Sequence, residues 1–256
     1  MSTAPSTHIV KTPQSVLPDQ TLNEALCLET AKLCGFDTAE WTLLKLDGGE
    51  PLLAVRRFDR IFPNHHEKLI SSLPAPKRLH QEDFCQASHL MPEMKYEPTN
   101  GNYVNRCGAI LARASCNPFG DRSLFLKTLY FDYLIGNCDN HLKNHAMLWD
   151  ETWNSCELAP LYDITCTTIY PSVDKEMGVS LCASRKISDV TSDDIARTSK
   201  ALGVPQKLGV SLYRELCSEF PKALDAAADH LTQLGYGRAE LLAEHISEEF
   251  TSKVRL

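Results

Sequence analysis

The side chains best suited to chemistry lie in residues 136–144 and in a short segment that follows. Asp139 and Asn144 are five positions apart, and Asp163 comes after a pattern that predicts two short strands. In phosphoryl transfer from ATP, one carboxylate accepts the hydroxyl proton of the acceptor, while an amide and a second carboxylate bind Mg²⁺. The order of these residues therefore suggests Asp139 as the base, with Asn144 and Asp163 as metal ligands.

Two further side chains of the same stretch, His141 and Lys143, could serve this reaction. His141 could hydrogen-bond within the loop, and Lys143 could neutralise the phosphoryl group during transfer. The D-x-x-x-x-N spacing alone is more often a turn whose Asp and Asn side chains cap their own backbone. Asp163 favours the functional interpretation, because it stands at the end of a predicted strand, in the right order after the loop.

Composition narrows the class of protein. The chain has 256 residues, of which 43% are hydrophobic and 23% charged, as expected for a folded protein with one large domain or two lobes. Its net charge of −7 argues against direct binding to nucleic acid or to an anionic membrane. The ten cysteines show no C-x-x-C spacing and are interpreted as reduced core thiols. Without a long apolar run or a secretory signal, the sequence predicts a cytoplasmic protein with no membrane segment.

The predicted elements begin with a small α/β unit. Residues 7–11 predict a strand and residues 21–34 a helix. Two further strands, 41–46 and 52–58, are expected to form a hairpin through Asp47-Gly48-Gly49. We place a lobe boundary in the irregular segment that follows, with an N-lobe at residues 1–75.

The remainder, residues 76–256, is expected to be a mostly helical C-lobe. Helical patterns are predicted in three segments before the polar stretch, a strand hairpin after it, and helices to the end of the chain, with Pro205 and Pro221 at helix starts. The three helical segments are 81–90, 105–114 and 124–135, and the last is apolar nearly all round. These elements give an α+β fold class, in which a buried helix delivers the chain into residues 136–144.

Five segments in the same order resemble the HipA family, bacterial serine/threonine kinase toxins of toxin–antitoxin systems. Residues 136–144 and 160–164 look like its catalytic and metal loops, and residues 7–11, 53–60 and 81–86 match three other family segments. The resemblance implies a two-lobed protein-kinase-like fold with a reduced N-lobe. It also implies ATP and Mg²⁺ as cofactors, and a protein serine or threonine as acceptor.

The resemblance also assigns residues to the nucleotide. Lys11 matches the strand lysine that contacts the ATP phosphates; otherwise it is a surface lysine at a strand end. Glu24, on the following helix, could pair with Lys11 as kinase helices do, although a solvated glutamate is equally compatible with the sequence.

The hinge of the nucleotide site is expected at Arg57, Phe58 and Asp59. Backbone groups of Arg57 and Phe58 would meet adenine, and Asp59 would bind the ribose. Phe58 could equally be an ordinary core residue. The family usually has a glutamate where this chain has Arg56.

The family carries a glycine-rich phosphate loop before its first strand. Here only six residues precede Thr7, and none is glycine. The expected function is a HipA-like kinase; the alternatives are a catalytically impaired binding module, truncated or complemented by a separate polypeptide, and a small-molecule kinase. By resemblance, an aminoacyl-tRNA synthetase is the precedent for the substrate and a DNA-binding antitoxin for the partner.

Overall fold

The structure is a computed structural model, which describes residues 6–46, 49–62, 69–70 and 73–254. The expected turn residues Asp47 and Gly48, and residues 1–5 of the segment before Thr7, lie outside these residues. The described residues form seven α-helices and twelve strands. The helices are α1 (Gln20–Leu33), α2 (Phe84–Ala87), α3 (Tyr103–Ala114), α4 (Pro118–Ile135), α5 (Ser192–Ala201), α6 (Gln206–Gln233) and α7 (Arg238–Lys253). The strands are β1 (His8–Lys11), β2 (Trp41–Leu44), β3 (Leu52–Arg56), β4 (Arg60–Ile61), β5 (Leu69–Ile70), β6 (Leu73–Pro74), β7 (Lys77–Arg78), β8 (Gln81–Asp83), β9 (Ala146–Trp149), β10 (Cys156–Leu158), β11 (Glu176–Leu181) and β12 (Ser184–Lys186).

The first part of the chain forms a three-stranded antiparallel sheet with the order β1-β3-β2. Lys11 pairs with Leu53 of β3, and Leu44 of β2 pairs with Leu52. Helix α1 packs against β2 and β3 and also against α6 and α7, so its residues are buried from Thr21 to Ala31. The strand, helix and hairpin predicted from the sequence are all present.

Helix α4 is the core helix that leads into residues 136–144. Residues on every side of it are buried, as the apolar pattern predicted. It begins earlier than predicted, at Pro118, where the Asn117 side chain accepts a hydrogen bond from the Gly120 amide. It ends at Gly136, which has φ +83° and leaves no room for a side chain beside Thr168.

Three expectations about the elements were wrong. Residues 81–83 form strand β8, which pairs with β9, so only Phe84–Ala87 of the expected helix is helical. Pro221 lies inside α6 and does not start a new helix. Phe220 and Leu224 on either side of it are buried, so packing of one continuous helix outweighs the hydrogen bond that proline removes. Strands β11 and β12 were not predicted at all.

A second antiparallel sheet, with the order β10-β9-β8, backs the polar stretch. Residues 142–144 form a short 3₁₀ turn that leads directly into β9. The expected division of the chain between residues 75 and 76 stays a prediction. In the part of the chain that the structure describes, no helix combines the length and apolar character needed to cross a membrane.

Candidate active site

A cluster of one ammonium and two carboxylates lies at the centre of the site. Lys11 Nζ, at the end of β1, is 2.7 Å from both carboxylate oxygens of Glu24 on α1. The same Nζ donates a hydrogen bond to Asp163, 152 positions along the chain. The side chain of Glu24 is 3% exposed, whereas that of Asp163 is 43% exposed and open to a ligand. The pairing of Glu24 with Lys11 that the resemblance suggested is therefore present.

The electrostatics of this cluster follow from burial. Burial raises the pKa of Glu24 to about 7, and the nearby ammonium of Lys11 opposes that rise. For Lys11, burial alone would lower the pKa, but Glu24 and Asp163 together raise it, so its ammonium remains charged. Asp163 has φ +59°, a left-handed conformation that aspartate tolerates better than most residues do. Such a backbone at a cleft is typical of functional sites.

A chain of hydrogen bonds positions Asp139. The buried carboxylate of Asp132, on α4, accepts a hydrogen bond from Asn137 Nδ2 at 2.8 Å. Because Nδ2 is used in this way, Asn137 Oδ1 points to the other side, where it accepts from the Asp139 amide at 3.1 Å. Burial raises the pKa of Asp132 to about 7. Asp132 therefore fixes the orientation of Asn137, and Asn137 fixes the backbone of Asp139.

Strand β11 supports the same loop from the other side. The Gly178 amide donates to the Cys138 carbonyl at 2.9 Å, and a β-carbon at Gly178 would lie only 2.6 Å from His141 N. The Gly178 carbonyl accepts from the Glu97 amide, also at 2.9 Å. A glycine is required here because two backbones approach more closely than any side chain allows.

The segment 95–97 brings two polar side chains, Lys95 and Tyr96, to the loop of residues 136–144. Its position is fixed by the hydrogen bond from the Leu142 amide to the Lys95 carbonyl, at 3.1 Å, and by the contact of Glu97 with β11. The Tyr96 hydroxyl donates to Asp139 Oδ1. Burial and the Asp139 carboxylate raise the pKa of Tyr96, which keeps the phenol protonated as a donor.

His141 is neutral in this arrangement. Burial lowers the pKa of His141, and its Nε2 lies 2.8 Å from Lys95 Nζ. An ammonium can only donate, so Nε2 is the acceptor and the ring proton is on Nδ1. His141 Nε2 is also 3.8 Å from Asp139 Oδ1. The bond from Lys95 to the His141 ring was missed by sequence reasoning. The His141 backbone hydrogen-bonds within the loop, where its amide donates to the Asp139 carbonyl and its carbonyl accepts from the Asn144 amide, both at 2.8 Å.

Asn144 and Asp163 offer oxygen ligands of the kind that Mg²⁺ prefers. Asn144 Nδ2 donates to the Asp139 carbonyl at 2.7 Å, which turns its amide oxygen away from the loop backbone. Both side chains line one cavity with Lys11. Among the described residues no group of three or more His, Cys, Asp or Glu side chains could hold a metal ion. Two protein oxygens suffice when phosphates and water supply the other ligands, so the residues present fit Mg²⁺ bound together with a nucleotide.

The expected hinge residues line the same cavity. The rings of Phe58 and Tyr162 are 5.3 Å apart, and the Tyr162 hydroxyl donates to the Lys143 carbonyl at 2.8 Å. The Asp59 carboxylate is buried and accepts from Arg57 Nε and Nη2, both at 2.9 Å, and from Arg60. Both oxygens of Asp59 already accept hydrogen bonds, one at Oδ1 and two at Oδ2, so a ribose hydroxyl would share an oxygen with these arginines. Its ribose role remains a prediction.

Two cavities meet at Asp163. The first, of about 430 Å³, contains eight of the nine predicted site residues and is named the Lys11 cavity; its predicted members are Lys11, Arg57, Phe58, Asp59, His141, Lys143, Asn144 and Asp163. The second, of about 450 Å³, is lined by Tyr96, Asp139 and Asp163 and is named the Tyr96 cavity. A larger cleft of about 890 Å³, beside Trp41 and Tyr236, includes none of the nine. Size alone does not mark the site, and the chemistry favours the two smaller cavities.

Lys95, Tyr96, Tyr162, Asp132 and Gly178 are the residues of the site that sequence reasoning missed. No spacing rule links residue 96 or residue 178 to residue 139, since only the fold brings them together. Asp132 offered a local signal: a carboxylate on an otherwise apolar helix is unusual, and a buried polar residue normally has a partner.

Comparison with known proteins identifies the family of the chain. Residues 1–224 match the model of the family described as the HipA-like C-terminal domain. The chain is 32% identical over 251 residues to the putative kinase Y4mE of Sinorhizobium fredii, covering 98% of this chain and 57% of that protein. It is 24% identical over 257 residues to the serine/threonine-protein kinase toxin HipA of Shewanella oneidensis, covering 95% and 56%.

Solved structures define the class of fold. The HipA chain of the Shewanella oneidensis complex of HipA, HipB and operator DNA superposes with a TM-score of 0.82 at 24% identity, covering 96% of this chain and 57% of that chain. The proinflammatory kinase CtkA of Helicobacter pylori gives a TM-score of 0.60 at 15% identity, covering 96% and 87%. The fold is therefore the α+β fold of protein-kinase-like proteins.

The chain belongs to the HipA-like C-terminal domain family, whose model matches most of its length. Its curated relatives carry the names of kinases. The chain spans a little over half the length of the relatives it matches, 57% of the putative kinase Y4mE.

The close approach at Gly178 predicts the effect of adding one methyl group there. In Gly178→Ala the new β-carbon would meet the backbone of His141 at 2.6–2.7 Å, so β11 or the catalytic loop must shift. We expect a loss of about 1–3 kcal/mol in the free energy of unfolding, measured by chemical denaturation. Gly237→Ala is the matched control, because a β-carbon added there would have no atom of the described residues within 4 Å, and φ at this position is −58°. Equal stability of the two variants would contradict the packing described.

The raised pKa of Asp132 predicts a pH-dependent contribution to stability. With a pKa of about 7 in the folded chain, against 3.8 ordinarily, Asp132 takes up a proton on folding between these pH values. The stability that this proton uptake contributes is fully present below pH 3.8 and is lost as the pH rises through about 7. Asp132→Asn has no such proton, so its melting temperature relative to the parent should be higher at pH 8 than at pH 5, by roughly 2–4 °C per kcal/mol. Thermal melts at both pH values measure this, and a pH-independent difference would count against it.

Proposed function

We propose that this chain is a kinase core that transfers the γ-phosphoryl group of ATP, bound with Mg²⁺, to a serine or threonine hydroxyl of a protein. The observation that carries the proposal is that the Lys11 cavity and the Tyr96 cavity share Asp163. Lys11, Glu24 and Asn144 line the Lys11 cavity, and Asp139 lines the Tyr96 cavity. Membership of a family whose named relatives are kinases supports the same reaction class.

The Lys11 cavity would bind the nucleotide. Of its described lining residues, five are cationic and three acidic; the cations are Lys11, Arg56, Arg57, Lys95 and Lys143. This excess of positive charge favours a polyphosphate. Phe58 and Tyr162 supply an apolar wall for the base, while Asn144 and Asp163 would hold Mg²⁺ on the phosphates, where the metal neutralises charge that develops during transfer.

Asp139 would accept the proton of the attacking hydroxyl. Tyr96 occupies Oδ1, so the acceptor would donate to Oδ2 of the same carboxylate. Lys143 is exposed on the rim of the Lys11 cavity, where it would neutralise the transferring group, and His141 would hold Lys95 in place beside it.

We further propose that the kinase is the toxin component of a toxin–antitoxin module in the cytoplasm. Its partner would be a DNA-binding antitoxin, and an aminoacyl-tRNA synthetase is a candidate substrate. The support is that the Shewanella oneidensis protein is named a kinase toxin and was solved with HipB and operator DNA. No direct contact of this chain with nucleic acid is proposed, in keeping with its net charge of −7.

Nucleotide binding provides the first test. Calorimetric titration of ATP with Mg²⁺ should show one binding site, and Asp163→Ala should weaken it by about tenfold or more because a metal ligand and a partner of Lys11 are both lost. Asp225→Ala is the control, since Asp225 is an exposed carboxylate on α6 outside both cavities. Absence of binding by the parent chain would remove the kinase proposal.

Phosphoryl transfer provides the second test. With radiolabelled ATP and a bacterial lysate as acceptor, Asp139→Asn should lose roughly 10²–10⁴-fold in labelling rate, because the amide cannot accept the proton. Its affinity for ATP should change little, since Asp139 does not line the Lys11 cavity. Undiminished labelling by Asp139→Asn would remove the residue from its role. Nucleotide binding without any labelling would indicate a binding module without turnover.

A further inference from the structure

The Tyr96 cavity is the second candidate binding site beside residues 136–144, and the proposed nucleotide site does not include it. It shares Asp163 with the Lys11 cavity, but Asp139 lines the Tyr96 cavity alone. A hydroxyl that donates to Asp139 while it attacks a phosphoryl group near Asp163 would lie in the cavity that both residues line. The cavity is therefore positioned for the acceptor, an inference that rests on the proposed function.

The two cavities have opposite charge. Of the described residues that line the Tyr96 cavity, four carry carboxylates and one is cationic; the carboxylates belong to Asp139, Asp163, Asp174 and Glu176, and the cation is Arg185. The Lys11 cavity has the reverse excess, with five cations against three carboxylates. Because fields of opposite sign attract opposite ligands, a polyphosphate is favoured on one side of Asp163 and a cation on the other.

Three of these carboxylates have side-chain partners, whereas the hydrogen bond to Asp174 comes from a backbone amide. Asp163 is paired with Lys11, and Asp139 accepts from Tyr96. Glu176 is paired with Arg185, whose Nη1 also donates to Thr99 Oγ1 at 3.1 Å. Asp174 is exposed, and one of its oxygens accepts from the Glu176 amide at 3.1 Å.

The rest of the lining is suited to a peptide. Leu17, Val173 and Met177 provide apolar surface, and Thr165 and Thr167 provide hydroxyls. The phenol of Tyr96, whose side-chain edge faces His141 with ring centroids 5.0 Å apart, forms the wall next to Asp139. An extended segment could place a hydroxyl at Asp139 while a neighbouring side chain reaches Asp174.

We propose that the Tyr96 cavity is the acceptor site and that it selects a serine or threonine within a basic segment, with lysine or arginine near the hydroxyl. Asp174 is the main specificity-determining residue. The Glu176 charge is neutralised by Arg185, which leaves Asp174 to the incoming cation.

Fluorescence anisotropy with three labelled peptides tests this proposal. Each peptide carries one serine in an alanine–glycine background, flanked by two lysines, two alanines or two glutamates. The lysine peptide should bind roughly five- to tenfold more tightly than the alanine peptide, with the glutamate peptide weakest, and the spread should shrink at high salt. Asp174→Asn should reduce the preference and Asp174→Lys should abolish or reverse it.

The matched control is Asp225→Lys, which makes the same charge change on α6 outside both cavities and should leave the preference intact. Titrations are run with and without Mg²⁺ and the non-hydrolysable analogue AMP-PNP, whose own binding is measured in the same samples. Failure of AMP-PNP to bind would fail the proposed function, whereas the peptides without nucleotide still report the charge preference. Equal binding of the three peptides, binding of none, or an unchanged preference in Asp174→Lys would overturn the acceptor assignment.

Discussion

One ammonium group, that of Lys11, connects three segments that are distant in the sequence. Lys11 Nζ joins β1 to Glu24 on α1, 13 positions away, and to Asp163, 152 positions away. Because Glu24 is buried, removal of its cation would leave an unpaired carboxylate in the protein interior, which is strongly unfavourable. The Lys11–Glu24 pair therefore fixes the position of the three-stranded sheet relative to α1. The bond from Lys11 to Asp163 in turn fixes Asp163 where the two cavities meet.

The loop of residues 136–144 is positioned mainly by contacts and hydrogen bonds to its backbone. Gly178 allows β11 to lie against residues 138–141, while Asp132 acts through Asn137 to hold the Asp139 amide. Three separate elements therefore contact the loop: α4 through Asp132, β11 through Gly178, and the segment 95–97 through Tyr96. This one loop contributes residues to both cavities that meet at Asp163, and the charged residues that line the two cavities have opposite excess charge.

Much of the fold could be predicted from the sequence because it is local. The spacing of apolar residues in 21–34 and 124–135 located helices, and the strand pair around Asp47-Gly48-Gly49 was correct although the turn itself lies outside the described residues. Prediction failed where tertiary contacts overrule local preference. Residues 81–83 become a strand by pairing with β9, and α6 continues through Pro221 because both flanking turns are buried.

The candidate site likewise contains residues that the sequence could predict and residues that it could not. Asp139, Asn144 and Asp163 could be found from order and spacing, and the resemblance to the HipA family, which the family match confirms, added Lys11 and the hinge. Tyr96, Lys95 and Gly178 could not be found, since their link to Asp139 exists only after folding. The sequence also could not show that Asp59 is already bonded to two arginines.

The proposed nucleotide site is the Lys11 cavity, which is lined also by the expected hinge residues and by residues of the loops 136–144 and 160–164. Hydrogen–deuterium exchange with and without Mg²⁺ and AMP-PNP locates the bound nucleotide directly, because amides that become ordered or covered exchange more slowly. If the nucleotide binds there, protection should appear together in residues 8–11, 55–59, 139–145 and 161–165. Protection confined to the larger cleft beside Trp41 and Tyr236, or no protection at saturating nucleotide, would contradict the claim.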